Sequence, residues 1–213
     1  MLKKSWWKYY IKLPGQLDLQ MQSWDLSFKD SETSDRVAGQ VWGAKDSNLY
    51  LIDQVKKRMN FPDTMRAIEE MTKKYPEAGG KLIEDKANGP AIISMLNTKI
   101  GGMIPIDPKG SKEVAGGGSK VARVAAISPL IEAGNVYLPC SGFNPDGTPI
   151  LPMWVREFID ICAAFPNGAE DDCVDAMSQF LRRFLFTILP QQKEKKSDSD
   201  DDDEDSEGGG YYD

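Results

Sequence analysis

The 213-residue sequence predicts an α/β fold: a mixed β-sheet, an antiparallel meander followed by parallel strands, flanked by helices. Three observations predict it. Residues 17–28, 37–43 and 48–55 alternate apolar and polar side chains with brief polar turns between them, as sequential antiparallel strands do. From Phe61 to Ile106 the pattern changes to helix–strand alternation, which builds parallel strands. Apolar residues make up 40% of the chain, enough for the core of one domain with tails.

The elements follow in order. Residues 1–18 are expected to form an amino-terminal arm, basic and aromatic from Leu2 to Tyr10 and turned at Pro14-Gly15. Such an arm either contacts nucleic acid or a neighbouring domain, or packs across the domain's own surface. The domain proper is expected over 19–189. Its first strand runs from Leu17 to Phe28 and carries Asp25. Polar turn residues Thr33 to Arg36 lead to strands Val37–Gly43 and Asn48–Val55, split by a turn at Ala44 to Ser47. A helix opens at Phe61-Pro62-Asp63 and runs to about Lys74, with Met65, Ile68 and Met71 on one face. Lys81 to Lys86 is the fourth strand, Pro90 to Ile100 a helix, and Met103 to Ile106 a short fifth strand. After the glycine-rich Lys109–Ser119 segment, Lys120 to Ser128 is helical, and Pro129 is expected to interrupt it. Val136 to Leu138 is expected at a sheet edge. Helices over 153–164 and about 169–189 complete the domain, separated by Pro166-Asn167-Gly168. This order matches the ribonuclease H-like layout. Fold class alone does not give function.

Composition narrows the chemistry. The formal net charge of -7 is unevenly distributed: residues 193–213 hold 10 acids and 3 lysines, leaving 23 of each sign among residues 1–192. Residues 190–213, with an unbroken acidic run from Asp200 through Asp205, cannot bury a core and are expected to be a disordered acidic tail. The absence of histidine excludes Ser-His-Asp and Cys-His nucleophile systems and imidazole general bases. Cys140, Cys162 and Cys173 show no paired metal-ligand spacing and read as free thiols. No apolar run reaches the ~18 residues of a membrane span and nothing resembles a signal peptide, so no membrane association and a cytoplasmic location are expected.

Three separated acidic clusters carry the functional reading. The run Lys81-Leu82-Ile83-Glu84-Asp85-Lys86 delivers two carboxylates to the carboxyl end of a strand, where open α/β sheets place their chemistry. Only one of the two can be a primary ligand, because they point to opposite faces if the strand persists; Glu84 is favoured. Asp25 sits mid-strand between Trp24 and Leu26, and a buried lone Asp is costly unless paired or ligating. On the last helix, Val174, Met177, Leu181, Phe184 and Leu185 share one face, while Asp172 and Asp175 fall on the other with Asp171 at the border. Acids at a helix start also serve capping and the macrodipole. Converging, the clusters would suit two divalent ions for phosphodiester hydrolysis, and Mg²⁺ or Mn²⁺ prefers such oxygen ligands. Gly116-Gly117-Gly118-Ser119-Lys120 has the outline of a phosphate loop, but Val121 stands where Ser or Thr should follow and no strand leads into it.

Several motifs carry a resemblance. Trp24-Asp25, Ser34-Asp35, Val41-Trp42-Gly43, Leu51-Ile52-Asp53-Gln54-Val55, Ile83-Glu84-Asp85-Lys86-Ala87-Asn88-Gly89-Pro90-Ala91, Glu132 to Pro139 and Phe165 to Ala176 occur in this order. Together they resemble the carboxyl-terminal nuclease domain of a tailed-bacteriophage terminase large subunit, over about residues 5–189. The resemblance implies a ribonuclease H-like fold and a two-metal endonuclease that cuts concatemeric double-stranded viral DNA during packaging in the host cytoplasm. It also implies an ATPase motor amino-terminal to this domain, making the chain an excised domain or one part of a split protein, with the small terminase subunit and the portal as partners. By position, Asp25 would be the first metal-bridging acid, Glu84 the second, and Asp171, Asp172 and Asp175 the third cluster, Asp172 ahead of Asp175. Glu170 stands where the family often has histidine and could add a fourth carboxylate. Lys86, Lys120 and Arg123 are candidates for phosphate contact, or ordinary surface charge. Two other classes remain open: a junction resolvase or recombinase of the same fold, and a catalytically silent docking module for motor and portal.

Overall fold

The computed structural model describes residues 1–26, 35–84, 89–106 and 119–188. The acidic tail, the glycine-rich segment up to Gly118, Asp85 and Lys86 lie outside the described residues. A seven-stranded mixed sheet is ordered β1-β7-β4-β3-β2-β5-β6. Its strands are β1 (Lys8–Tyr10), β2 (Leu19–Leu26), β3 (Asp35–Lys45), β4 (Asn48–Met59), β5 (Gly80–Glu84), β6 (Met103–Ile106) and β7 (Val136–Pro139). A small hairpin, β8 (Gly142–Phe143) with β9 (Pro149–Ile150), stands apart. The helices are α1 (Phe61–Lys74), α2 (Gly89–Asn97), α3 (Lys120–Glu132), α4 (Met153–Ala164) and α5 (Asp172–Arg183).

The meander β2–β3–β4 is antiparallel, and β5 then pairs parallel with β2 and β6 parallel with β5. The β3–β4 turn is tighter than the sequence predicts: Lys45 pairs with Asn48, leaving only Asp46 and Ser47 between the strands. Asp46 takes a left-handed φ of 53°, a conformation Asp tolerates. Asp18 fixes this turn, accepting from the Asp46 N–H at 2.7 Å and from Lys45 Nζ at 2.8 Å.

One expectation is corrected at the far side of the sheet, and one open alternative is decided. β7 is not an edge strand but lies between β4 and β1. The edge is β1, from the basic and aromatic amino-terminal segment, which pairs parallel with β7 while Leu2 and Trp7 enter the core. That segment thus packs across the domain's own sheet. A second correction concerns Pro129, which α3 runs straight through. Proline removes the donor for the Ala125 carbonyl, and the Ser128 hydroxyl donates to that oxygen at 3.0 Å instead. The last helix is also shorter than expected: it starts at Asp172, and after Arg183 the chain continues as a π-helical turn, Phe184–Ile188.

Period-two alternation sends each strand's side chains to two cores. On one face, Met21, Ala38, Trp42 and Leu82 pack with α3, α4 and α5, where Trp42 stacks on Phe180 with centroids 5.4 Å apart. On the other, Trp24, Val37 and Ile83 pack with Met65, Ile68 and Met71 of α1 and Ile92 and Leu96 of α2. The two fully buried tryptophans donate their indole N–H to the glutamine two residues earlier, Trp24 to Gln22 and Trp42 to Gln40, both at 2.9 Å. All three cysteines are free and buried. Among the described residues, no helix is long and apolar enough to cross a membrane.

Candidate metal centre

The site begins with the parity of β2. Ser23 donates to the Ala176 carbonyl of α5 at 2.7 Å, so Ser23 and, two residues on, Asp25 face α5. Asp25 is 1% exposed. Its strand lies between β3 and β5, in the interior of the sheet. The β2–β5 register pairs Trp24 with Ile83, and one further step sets Asp25 beside Glu84, on strands roughly 4.8 Å apart. Leu82 packs in the α5-side core, so Glu84 shares that face. Two acids thus stand side by side at the carboxyl end of neighbouring parallel strands.

The third cluster comes from α5, fixed across the sheet at two points. Gln40 of β3 donates to the Cys173 carbonyl at 3.0 Å, and Ser23 holds Ala176. The first turn therefore lies against the face carrying Asp25. Asp172 and Asp175 are buried, and Asp171 is the half-exposed N-cap residue. Burial, and then the neighbouring Asp171 charge, push the Asp172 pKa up. Among the described residues, no cation makes an ion pair with Asp172, and no group of three or more His, Cys, Asp or Glu side chains is spaced to hold one ion.

Asp175 is differently placed. Its two oxygens meet Lys120 Nζ at 2.5 Å and Arg123 Nη2 at 2.8 Å, and Lys120 also bonds Asp171 at 2.7 Å. Lys120 and Arg123 lie three residues apart on one face of α3, which packs beside α5. Burial lowers the Lys120 pKa, but the hydrogen bonds that Lys120 donates to Asp171 and Asp175 outweigh it and hold the ammonium charged. Arg182 is buried close by, its pKa lowered by burial and by Arg123. Two cations offered to phosphate and a carboxylate offered to metal are therefore one another's partners.

Glu170, just ahead of α5, turns away from the acids. It pairs with Lys56 of β4 at 2.9 Å and with Arg36 of β3 at 3.1 Å, and the Lys56 hydrogen bond holds its carboxyl below the usual range. Sequence reasoning missed Arg36 and Lys56. The available signal was the basic run Lys56-Lys57-Arg58, which continues β4 beyond the apolar alternation that ends at Val55.

The donor set of Asp25, Glu84 and Asp172 is all oxygen, the chemistry that Mg²⁺ and Mn²⁺ require. A buried carboxylate with a raised pKa beside another acid is also what a divalent cation relieves. The chemistry of these side chains suits a hard divalent ion, while among the described residues no three of them are grouped around one point.

The terminase RNaseH-like domain family matches residues 22–184. No curated protein matches the chain. Among solved structures, the large terminase nuclease of thermophilic phage G20c with bound zinc superposes with a TM-score of 0.56 and 13% identity, over 86% of this chain and 96% of that one. The same nuclease with bound magnesium gives 0.52 and 14%, over 82% and 92%. The large terminase of a second thermophilic bacteriophage gives 0.56 and 11%, over 84% of this chain but 43% of that one, so this chain spans less than half of that protein. At these identities the likeness is one of fold.

Proposed function

Because the chain belongs to the terminase RNaseH-like domain family, we propose that it is a metal-dependent endonuclease cutting double-stranded viral DNA during genome packaging. The observation that carries this reading is Asp25, buried in the sheet interior beside Glu84 and on the face that receives the acidic start of α5.

Asp25 and Glu84 would hold one side of a pair of Mg²⁺ or Mn²⁺ ions, and Asp172 the other. Bound there, the two ions would supply a water activated near neutral pH and a stabilised leaving oxygen. Asp172 is the better ligand in its cluster, because Asp175 already gives both oxygens to Lys120 and Arg123. Asp171 and Asp175 hold Lys120 at the mouth of this cluster, keeping a positive charge where a phosphate approaches. Concatemer cleavage, a separate ATPase motor, the small terminase subunit, the portal and a host-cytoplasmic setting all belong to this reading. G20c structures with bound zinc and magnesium support divalent-metal use.

The test is cleavage of supercoiled plasmid by the full chain with Mn²⁺ or Mg²⁺, against Asp25→Asn. Loss of at least 10²-fold in rate is expected, as for removal of a principal electrostatic group. Equal metal-dependent cutting by the variant would overturn the assignment. The engagement of Asp175 favours a second reading, a catalytically silent docking module. Calorimetry showing no Mn²⁺ uptake by the wild-type chain would promote it.

A further inference from the structure

Beyond the carboxylates, the same sheet face carries a concentrated positive charge. Asp25 pairs with Ala38, and Ala38 with Lys56, so one row crosses β2, β3 and β4. Directly paired residues share a face, and two strand spacings put Lys56 about 10 Å from Asp25. Two pairs further out, and so on the same face, Arg36 stands opposite Arg58 across the ladder. Like charges set opposite one another destabilise a sheet, an arrangement an anion relieves. Arg36, Lys56, Lys57 and Arg58 surround a hollow of about 250 Å³, whose remaining lining is Glu157 and Glu170. Lys57 pairs with Val37 and so points to the opposite face, but Arg36, Lys56 and Arg58 against Glu157 and Glu170 still leave an excess of positive charge on this one, in a body whose charges balance overall.

Glu170 shows what the hollow accepts. Its two oxygens are divided between Arg36 and Lys56, the way a phosphate's oxygens are shared between cations. Arg36 is further anchored by donating to the Ala169 carbonyl at 3.2 Å. Lys56 is steadied from the other side by Glu157, at 2.5 Å.

We infer that this hollow on β3 and β4 is a phosphate-binding subsite for the backbone of double-stranded DNA, with Arg36, Lys56 and Arg58 as its ligands and the Glu170 carboxylate as the resident anion that a phosphate displaces. The inference rests on the nuclease reading for its choice of polyanion. With ~3.4 Å of rise per nucleotide and the twist of the duplex, successive phosphates of one strand lie roughly 7 Å apart through space, so a 10 Å offset places the subsite one to two nucleotides from the acids. Its role is to set the register of the duplex over the carboxylates.

The experiment measures binding without cleavage: the full chain with a fluorescein-labelled duplex of about 30 base pairs in EDTA, by anisotropy over a series of salt concentrations. Arg36→Gln/Arg58→Gln should weaken binding about tenfold or more and flatten the salt dependence by about two units, one per lost phosphate contact. Glu170→Gln should act in the opposite sense and tighten binding, an effect that an unfolded variant cannot imitate. Lys99→Gln, which removes a cation paired with Glu69 on α1, serves as the surface-charge control and should leave both quantities unchanged. Arg36→Gln/Arg58→Gln behaving like that control, with Glu170→Gln neutral, would overturn the subsite. Binding that responds as expected in a wild-type chain that cuts nothing with Mn²⁺ keeps the subsite and removes the nuclease reading.

Discussion

Asp172 shows how function and stability oppose each other at a single side chain. It is buried at the start of α5 with Asp171 beside it, and burial first, then that neighbour, raise its pKa above the usual 3.8. The native state therefore binds more protons than the unfolded chain between the two pKa values. Stability falls as pH rises through that window, and above the folded pKa the full penalty is present. Asp172→Asn should stabilise the metal-free protein at pH 7 by on the order of 1 kcal/mol, about 2–4 °C in Tm. The gain should vanish as pH falls below the unfolded value, and the same variant should lose Mn²⁺ affinity. Thermal melts in EDTA at several pH values check the first part; identical melting of both proteins at pH 7 would show that the charge is already balanced. Asp25 could be picked out in the sequence because it interrupts an apolar strand, and Glu84 because it ends one. Arg36 and Lys56 were harder to read: the basic run Lys56-Lys57-Arg58 marks a charged strand end, but a cation there looks the same in sequence whether it is solvated or holds Glu170.

At the scale of elements, strands and helices were legible wherever alternation or helical spacing was uninterrupted, as in β2 to β4, α1 and α4. The failures have local physical causes. Pro129 reads as a breaker because the Ser128 hydroxyl that serves the Ala125 carbonyl is a tertiary-like remedy one residue away. β1 reads as an arm because three residues cannot display a period, and its partner β7 lies more than a hundred residues distant. Glycine in mid-strand is a further case: Gly39 of β3 faces Trp24, whose ring is fully buried, and a methyl group at Gly39 would overlap that ring. Gly39→Ala should therefore cost roughly 1–3 kcal/mol by overpacking. Urea denaturation reads this as a lowered midpoint at unchanged slope. An unshifted midpoint would mean that Trp24 has another rotamer available in the α1-side core. Because Trp24 precedes Asp25, any such shift should also weaken metal binding.

For the whole molecule, the decisive quantity is how charge is apportioned. Residues 1–192 carry equal numbers of acids and bases, so the affinity of the domain for a polyanion depends on where its cations gather. The hollow of Arg36, Lys56, Lys57 and Arg58 is one such gathering, already partly balanced by Glu157 and Glu170. The last 21 residues add 10 acids and 3 lysines on the same chain. A polyanion on the same chain can act at an effective concentration of about a millimolar, so if the tail reaches the hollow even weak attraction would compete with DNA. Deleting residues 193–213 should then raise affinity for duplex DNA several-fold at low salt. The difference should fade above about 0.5 M salt, where screening removes both attractions. The two substitutions at Arg36 and Arg58 should abolish the gain, because tail and duplex would be competing for the same cations. Anisotropy on the full and shortened chains, each with and without those substitutions, separates the cases. An equal affinity of full and shortened chains would exclude competition by the tail, whereas a gain that persists without Arg36 and Arg58 would place the competition on other cations.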